Sequence, residues 1–284
     1  MVIGALGGAL TMSTIAESFP NASALMIVLS VIVISILFGV VYAALLAVAC
    51  VNFNGDQTIV GTALNILGTA AATVIVKAIN TAANPDNVSS VVKYIQPKKA
   101  FLFHVGGMEL NWFMVVTVIA LLCAYVTLYK TKFGLRLRSC GENPQAADSL
   151  GINVYRMRYA GTTISGALAG MGGFVYALTT ANCSSNGDVA GFGFLALAVM
   201  IFGNWKPLNI AMASLLFGLF KCIAAAYTSL DINGDGIYAL AEIGISSHLY
   251  RMLPYIITLL VLAFTSKSSR APKAEGIPYE KGRR

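Results

Sequence analysis

Charged residues are scarce in this chain. Asp, Glu, Lys and Arg make up 11% of its 284 residues, whereas a soluble domain usually carries about 25%. Histidine occurs only at His104 and His248, and no H-E-x-x-H motif or local Ser/His/Asp motif is present. The G-x-x-x-x-G-K-[ST] phosphate-binding loop is also missing, so the chain does not bind ATP by that route. These absences argue against an enzyme.

Apolar residues are abundant instead, at 57% of the chain, and they are grouped in long runs. A run of about 20 apolar residues can cross the hydrocarbon core of a membrane, and it must be helical because no water is there to bind its backbone. The sequence therefore predicts an all-α fold, a polytopic membrane helical bundle of about eight spans or half-spans in one domain, 1–265. The predicted spans are 2–16, 25–51, 59–79, 111–129, 159–181, 188–203, 208–228 and 250–265.

Basic residues are concentrated on one predicted side of the membrane. The loop 130–158 and the tail 266–284 each carry six Lys or Arg residues, and the loops on the other side are mixed or acidic. Because Lys and Arg mark the cytoplasmic side, we expect a multi-pass membrane protein with a cytoplasmic carboxyl terminus. This distribution accounts for the net charge of +7 without a nucleic-acid partner. The polar tail is predicted to be disordered.

Small residues recur every four positions in the span 159–181. One register contains Gly161, Ser165, Ala169 and Gly173, and a second register beside it contains Gly166 and Gly170. Gly4 and Gly8 form a weaker copy near the amino terminus. Small residues at this spacing allow helix backbones to approach closely in a membrane. The pattern predicts close helix packing rather than only the high Gly and Ala content of membrane helices.

Polar side chains form a stripe along the span 59–79. Thr62, Asn65, Thr69 and Thr73 are three or four residues apart, so they lie on one face of a helix. This hydroxyl stripe is a candidate path for a neutral, hydrogen-bonding solute, and hydrogen bonding between helices explains it equally well. Lys221 is a second candidate path residue because charges within spans often have a function, although a lysine stem can also reach the interface.

A calcium-binding pattern lies between two predicted spans. Residues 231–242 match D-x-[DN]-x-[DN]-G-x5-E in full. The oxygen ligands would come from Asp231, Asn233, Asp235, Ile237 and Glu242. The alternative is an acidic, glycine-rich turn, because one flank is a membrane span and no second loop pairs with it. Calcium is the only ion or cofactor that the sequence predicts the chain to bind directly.

A basic, polar segment interrupts the apolar pattern from Gly134 to Ile152. Its sequence G-L-R-L-R-S-C-G-E-N-P-Q-A-A-D-S-L-G-I resembles the cytoplasmic coupling segment of bacterial ABC-importer permeases. Further matches, in order along the chain, are Gln57–Leu67, Gly191–Val199, Gly203–Pro207 and Leu253–Thr258. Together they resemble the permease family for branched-chain amino acids, simple sugars and nucleosides, and within it the nucleoside-type permeases.

The resemblance implies a permease subunit of the bacterial cell membrane that moves a nucleoside or similar polar solute. It also implies partners: ATPase subunits that hydrolyse ATP, a second homologous permease and an external solute-binding lipoprotein. A sugar or branched-chain amino acid permease and a stand-alone secondary transporter are the alternatives. Family members carry a further apolar span before the part that corresponds to Met1, so we expect a shortened amino terminus here.

The resemblance also assigns the coupling residues. A short helix can transmit ATPase movement if small residues, here Ala146 and Ala147, let it seat in a groove. Asn143 or Glu142 is expected to cap this helix, Pro144 suits its first turn and Gly151 its end. The predicted coupling residues are Glu142, Asn143, Pro144, Ala146, Ala147, Gly151 and Ile152.

Overall fold

The computed structural model divides the chain into two units. The first contains Met1–Gly191 and Lys273–Arg284, and the second contains Phe192–Pro272. The residues that the structure describes are 1–19, 24–89, 91–93, 102–105, 108–179, 184–185, 189–226, 249, 252, 256, 259 and 271–280.

Helices make up nearly all of the regular structure in the described residues. They are α1 (Val2–Ser18), α2 (Ala24–Ala47), α3 (Gln57–Ala83), α4 (Trp112–Lys130), α5 (Lys132–Glu142), α6 (Pro144–Ser149), α7 (Val154–Thr179), α8 (Phe192–Phe202) and α9 (Pro207–Ala226). A π-helical turn, Val48–Asn52, extends α2. Four short strands are β1 (Val92–Lys93), β2 (Leu102–Val105), β3 (Met108–Asn111) and β4 (Ser184–Ser185).

The helices confirm the all-α membrane fold. Seven of the eight predicted spans coincide with α1, α2, α3, α4, α7, α8 and α9 to within a few residues. Met26–Asn52, Gln57–Ala83 and Trp112–Lys130 are long and apolar enough to cross a membrane. Helix α7 has 26 residues, but its glycines and hydroxyl residues lower its hydropathy. The eighth predicted span, 250–265, lies almost entirely outside the described residues.

The first unit is built on the close packing of α1, α2 and α7. A Cβ atom on Gly170 would overlap the carbonyl oxygen of Ser35, and one on Gly39 would overlap that of Gly166. A Cβ atom on Gly4 would come within 2.5 Å of the Gly170 Cα atom. The buried Ser35 hydroxyl donates a hydrogen bond to the Gly4 carbonyl, at 2.7 Å. The three backbones are therefore in direct contact, as the small-residue pattern predicted.

The small-residue positions of α7 differ in how closely they pack. Gly166, Gly170 and Gly173 are buried, but Ser165 is exposed and Ala169 is only partly buried. Gly166 and Gly170 face the small residues of α2, and a Cβ atom on Gly173 would overlap the Met1 carbonyl oxygen. Both registers therefore contribute to the close contact.

Two contacts define the two ends of the first unit. At one end, β1 pairs antiparallel with β4, which joins the α3–α4 connection to the α7–α8 connection. At the other end, the Tyr159 hydroxyl donates a hydrogen bond to Asn52 Oδ1, at 2.9 Å. The turn after α2 therefore lies at the same end as α5, α6 and the start of α7. The α3–α4 and α7–α8 connections thus share one end, and the turn after α2 lies at the other end with α5 and α6. Spans that each cross the membrane once are predicted to place these connections in the same way.

The tail is not disordered throughout, which corrects the sequence prediction. Residues 273–280, here called the tail segment, pack against the end of the first unit that contains α5 and α6. The Ala274 N–H donates to the Gly141 carbonyl at 2.9 Å, and Tyr279 is 3% exposed. The tail was predicted to be disordered because it is polar and contains proline. The burial of one aromatic side chain, Tyr279, was not foreseen.

The second unit contains a hairpin of α8 and α9. Its buried side chains are Leu195, Val199, Ala213 and Phe217. The turn between the helices has Asn204 and Trp205 in the left-handed region, with φ angles of 51° and 62°.

Candidate functional site: the coupling helix and the hydroxyl stripe

Asn143 links α5 to α6 without any intervening loop. Its N–H donates to the Ser139 carbonyl at 2.9 Å and so closes α5. Its side-chain oxygen accepts from the Ala146 N–H at 3.0 Å and so caps α6. Pro144 follows as the first residue of α6, where a missing N–H costs nothing. Asn143 is thus the cap, and Glu142 is the exposed last residue of α5.

Gly151 follows the end of α6, where the sequence predicts the end of a short helix. Its φ angle is +79°, a conformation that glycine adopts without strain. Its N–H donates to the Asp148 carbonyl at 2.9 Å, and the Ile152 N–H donates to the Ala147 carbonyl at 3.1 Å. These bonds satisfy the last carbonyls of α6 and turn the chain toward α7.

The two alanines of α6 differ in burial. Ala147 is 2% exposed and packs in a cluster with Cys140, Val154 and Tyr279, and Ile152 lies partly buried against that cluster. Ala146 is exposed, and Leu150 at the end of the helix is 80% exposed. The surface that α6 offers to another protein is therefore centred on Ala146 and Leu150, whereas Ala147 holds the helix in place.

The basic residues near the predicted coupling segment are exposed. Lys130, Lys132, Arg136, Arg138 and Arg156 are all exposed. Arg138 lies over the Tyr129 ring, 4.8 Å from its centre. The interior of the segment is apolar by contrast, and burial raises the pKa of the Cys140 thiol. The segment thus combines an apolar interior with exposed basic side chains.

The hydroxyl stripe is satisfied within its own helix. Thr62 Oγ1 donates to the carbonyls of Thr58 and Ile59 at 3.0 and 2.9 Å. Thr69 donates to the Asn65 carbonyl at 3.1 Å, and Thr73 to the Thr69 carbonyl at 2.9 Å. None of these three hydroxyls donates to another helix of the described residues. Hydrogen bonding between helices therefore does not explain the stripe in that part of the chain.

An open groove runs along the same face of α3. It has a volume of about 590 Å³ and is lined by Asn65, Ile66, Thr69, Ala70, Thr73 and Val74. Thr62 is exposed on the same helix, one turn before the groove. A neighbouring face of α3 is closed, with Gly68, Ala72 and Val76 buried. The lining of the groove thus alternates polar and apolar side chains, so it can contact both the polar and the apolar parts of a bound molecule.

Lys221 lies on α9 in the second unit. Its Nζ atom is 4.7 Å from the centre of the Phe192 ring, close enough for a cation–π interaction. The stripe on α3 belongs to the first unit.

The predicted calcium loop, 231–242, lies outside the described residues. Within the described part of the chain, no group of three or more His, Cys, Asp or Glu side chains is placed to hold a metal ion. Calcium binding at Asp231, Asn233, Asp235, Ile237 and Glu242 stays a prediction.

Known proteins resemble the chain over most of its length. The family model of the branched-chain amino acid transport system / permease component matches residues 1–262. The chain belongs to this permease family. No solved structure matched the chain.

Three relatives of this permease carry informative names. The nucleoside ABC transporter permease protein NupC of Lactococcus lactis is 40% identical, over 88% of this chain and 78% of the relative. The guanosine ABC transporter permease protein NupQ of Bacillus subtilis is 35% identical, over 100% of this chain and 86% of the relative. A second Lactococcus lactis protein, the nucleoside ABC transporter permease protein NupB, is 26% identical over 82% of this chain and 65% of its own length.

Sequence reasoning missed Tyr279 as a residue of the coupling region. Burial raises the pKa of the Tyr279 hydroxyl to about 12, and a hydrogen bond to Asp148 adds to the increase. One signal was present, because Ile277 and Tyr279 flank a proline in an otherwise polar tail. Nothing in the sequence, however, indicated which of the many cytoplasmic side chains this tyrosine would contact.

Proposed function

We propose that this permease is a membrane subunit of an ABC importer and that its solute is a nucleoside. The observation that carries the proposal is α6, a six-residue helix capped by Asn143 and ended by Gly151, with Ala146 and Leu150 facing outward. A short helix held in this way can receive movement from another subunit without bending. The names of the relatives NupC and NupQ support the nucleoside as solute.

The proposal assigns ATP hydrolysis to partner subunits. The chain has no phosphate-binding loop of its own, so energy must enter through a protein contact, which we place at α6. A second, homologous permease is supported by the two Lactococcus lactis relatives, which are different proteins with the same kind of name. An external solute-binding lipoprotein completes the assembly that we propose.

The orientation follows from charge. The coupling segment and the tail segment lie at one end of the first unit, and the exposed basic residues of α5 are at that end. Since basic residues favour the cytoplasmic side, we place α6 and the carboxyl terminus in the cytoplasm of a bacterial cell, with the spans in its plasma membrane.

The hydroxyl stripe is the proposed path of the solute. A nucleoside carries hydroxyl groups, ring nitrogens and a flat apolar face. The groove on α3 offers the Asn65 amide, the Thr69 and Thr73 hydroxyl oxygens and apolar side chains between them. No charged residue lines this groove, which favours a neutral solute over an ion.

Uptake of labelled nucleoside tests the proposal. The permease is produced with a second permease, an ATPase and a binding lipoprotein in cells that lack nucleoside uptake. We expect labelled guanosine or uridine to accumulate, and unlabelled nucleosides, but not glucose or leucine, to compete. Uptake that glucose or leucine inhibits, or uptake that needs no ATPase, would contradict the proposal.

A charge on α6 tests the docking surface. Ala146→Arg places a long, charged side chain on the exposed face, so we expect uptake and co-purified ATPase to fall by about tenfold. Ala146→Ser is the matched control, because it preserves the size of the side chain and should leave both unchanged. Ala147→Arg is unsuitable, since Ala147 is buried. If Ala146→Arg retains full uptake and ATPase binding, α6 is not the docking element.

A further inference from the structure

The tail segment contacts α6 and both of its neighbours in sequence, α5 and α7. Its Ala274 N–H donates to the Gly141 carbonyl in α5, at 2.9 Å. Its Ile277 carbonyl accepts a hydrogen bond from Arg158 Nη2 in α7, at 3.0 Å. Its Tyr279 side chain lies against α6, where it is packed with Ala147. These contacts bridge more than 100 residues of sequence.

Tyr279 occupies the centre of this contact. Its ring meets the Tyr155 ring edge to face, with the centres 5.4 Å apart and an angle of 63°. The Arg158 guanidinium lies 5.9 Å from the same ring. One side chain therefore touches α6 and the first turns of α7 at the same time.

Helix α6 needs such a support. Six residues are too few to form a stable helix alone. Among the described residues, the apolar cluster under α6 draws its other members from Cys140 to Met157, and only Tyr279 comes from elsewhere in the chain. Tyr279 is 3% exposed, and it lies on the side of α6 that faces away from Ala146. It thus backs the helix without covering its outer surface.

We propose that Tyr279 is a positioning residue for coupling, which keeps α6 seated against α7 while an ATPase subunit presses on the outer face. This inference rests on the proposed function, because it assumes that α6 receives that movement. A helix backed by an aromatic side chain transmits displacement to α7, whereas an unsupported helix yields and the displacement is lost.

The rate at which Cys140 is labelled measures how firmly α6 is held against α7. Cys140 lies beneath the tail segment and is 5% exposed. The full-length chain, with its other cysteines Cys50, Cys123, Cys183 and Cys222 changed to alanine, is treated with a maleimide in native membranes. We expect Tyr279→Ala to raise the labelling rate by about tenfold, which corresponds to a loss of local stability near 1.4 kcal/mol.

Two variants serve as controls for this labelling. Ile277→Ala changes an exposed side chain, 55% accessible, of the same segment, and it should leave the labelling rate unchanged. Tyr279→Phe preserves the ring and should stay within about threefold of the parent. Equal labelling of the Tyr279→Ala variant and its parent would overturn the seating role.

The ratio of solute transported to ATP hydrolysed measures the consequence. In the complete transporter in proteoliposomes, we expect Tyr279→Ala to lower this ratio by about threefold or more, with ATPase subunits still bound. Tyr279→Phe should keep the ratio of the parent. A general folding defect would lower the amount of transporter without changing the ratio. If the alanine variant is not recovered from membranes, Tyr279→Leu replaces it. Leucine fills the space without the ring contact, and the same ratio is measured.

The Ala146→Arg variant separates the two proposals. If Ala146→Arg abolishes ATPase binding but Tyr279→Ala and Tyr279→Leu leave the ratio unchanged, the docking surface stands and the role of Tyr279 is wrong. If Ala146→Arg has no effect, the coupling function of α6 is itself wrong.

Discussion

Helices α3 and α7 carry the same kinds of residue in opposite surroundings. Both are long, with 27 and 26 residues, and both have glycines and threonines at helical spacing. On α7 the glycine face is closed, because Gly166 and Gly170 lie against the backbone of α2. On α3 the threonine face is open along the groove, and a Cβ atom on Gly61 would meet nothing within 4 Å.

The comparison shows when the face of a helix that carries small residues packs against another helix. Gly170 is packed because α2 supplies Ser35 and Gly39, and α1 supplies Gly4, as small residues on the facing surfaces. The stripe of α3 has no such counterpart among the described residues. Close packing therefore depends on small residues in both helices, and polar residues without a small-residue partner stay available for other contacts.

The largest expected effect comes from filling the closed face. Gly170→Ala would place a methyl group on the Ser35 carbonyl, so we expect a loss of about 3 kcal/mol in the free energy of unfolding. Gly61→Ala is the matched control on the open helix, where alanine should stabilise by about 0.5 to 1 kcal/mol. Thermal unfolding in detergent measures both. A Gly170→Ala protein as stable as its parent would show that α2 and α7 are not in backbone contact.

An intermediate effect is expected on the open face. Thr69→Val with Thr73→Val removes two hydroxyls at nearly constant volume, and we expect nucleoside uptake to fall by about tenfold through a higher KM. Stability should change by less than about 1 kcal/mol, because both hydroxyls bond only within α3. Labelled uptake over a range of nucleoside concentrations gives the KM.

Thr163→Val is the control for the open face. The Thr163 hydroxyl also bonds within its own helix, to the carbonyls of Tyr159 and Ala160, but it lies on α7. Uptake should be unchanged in this variant. If uptake falls equally in the α3 and α7 variants, the α3 hydroxyls have no special role in contacting the solute.

The smallest expected effect is that of Lys221→Met. The Lys221 ammonium lies over the Phe192 ring, a contact worth about 0.5 to 1 kcal/mol, so we expect a slight loss of stability and less than about twofold loss of uptake. Phe192→Leu removes the ring and should give a similar loss of stability. A severe loss of uptake with Lys221→Met alone would make Lys221 a solute-path residue.

The sequence predicted the helices better than their contacts. The spans are long apolar runs, and the capping by Asn143, the position of Pro144 and the end at Gly151 depend on local geometry. These features need only neighbouring residues. The orientation of α6, with Ala147 inward, depends on packing against Val154 and Tyr279, which no local pattern encodes.

The same limit explains the glycine register of α7. The facing residues Ser35 and Gly39 lie against Gly166 and Gly170, whereas in the Gly161-to-Gly173 series Gly173 alone lies against a backbone, that of Met1. A periodic pattern identifies the two possible faces of a helix. Only the position of the partner helix decides between them.

The junction at Asn143 has a consequence for chain length. One residue closes α5 with its N–H and opens α6 with its side chain, so the two helices have no linker to absorb a change. Inserting or deleting one residue there would rotate α6 by about 100° about its axis, which would move Ala146 and Leu150 away from their outward position. We expect relatives that use this helix in the same way to tolerate substitutions around Asn143 but no insertions or deletions between α5 and α6.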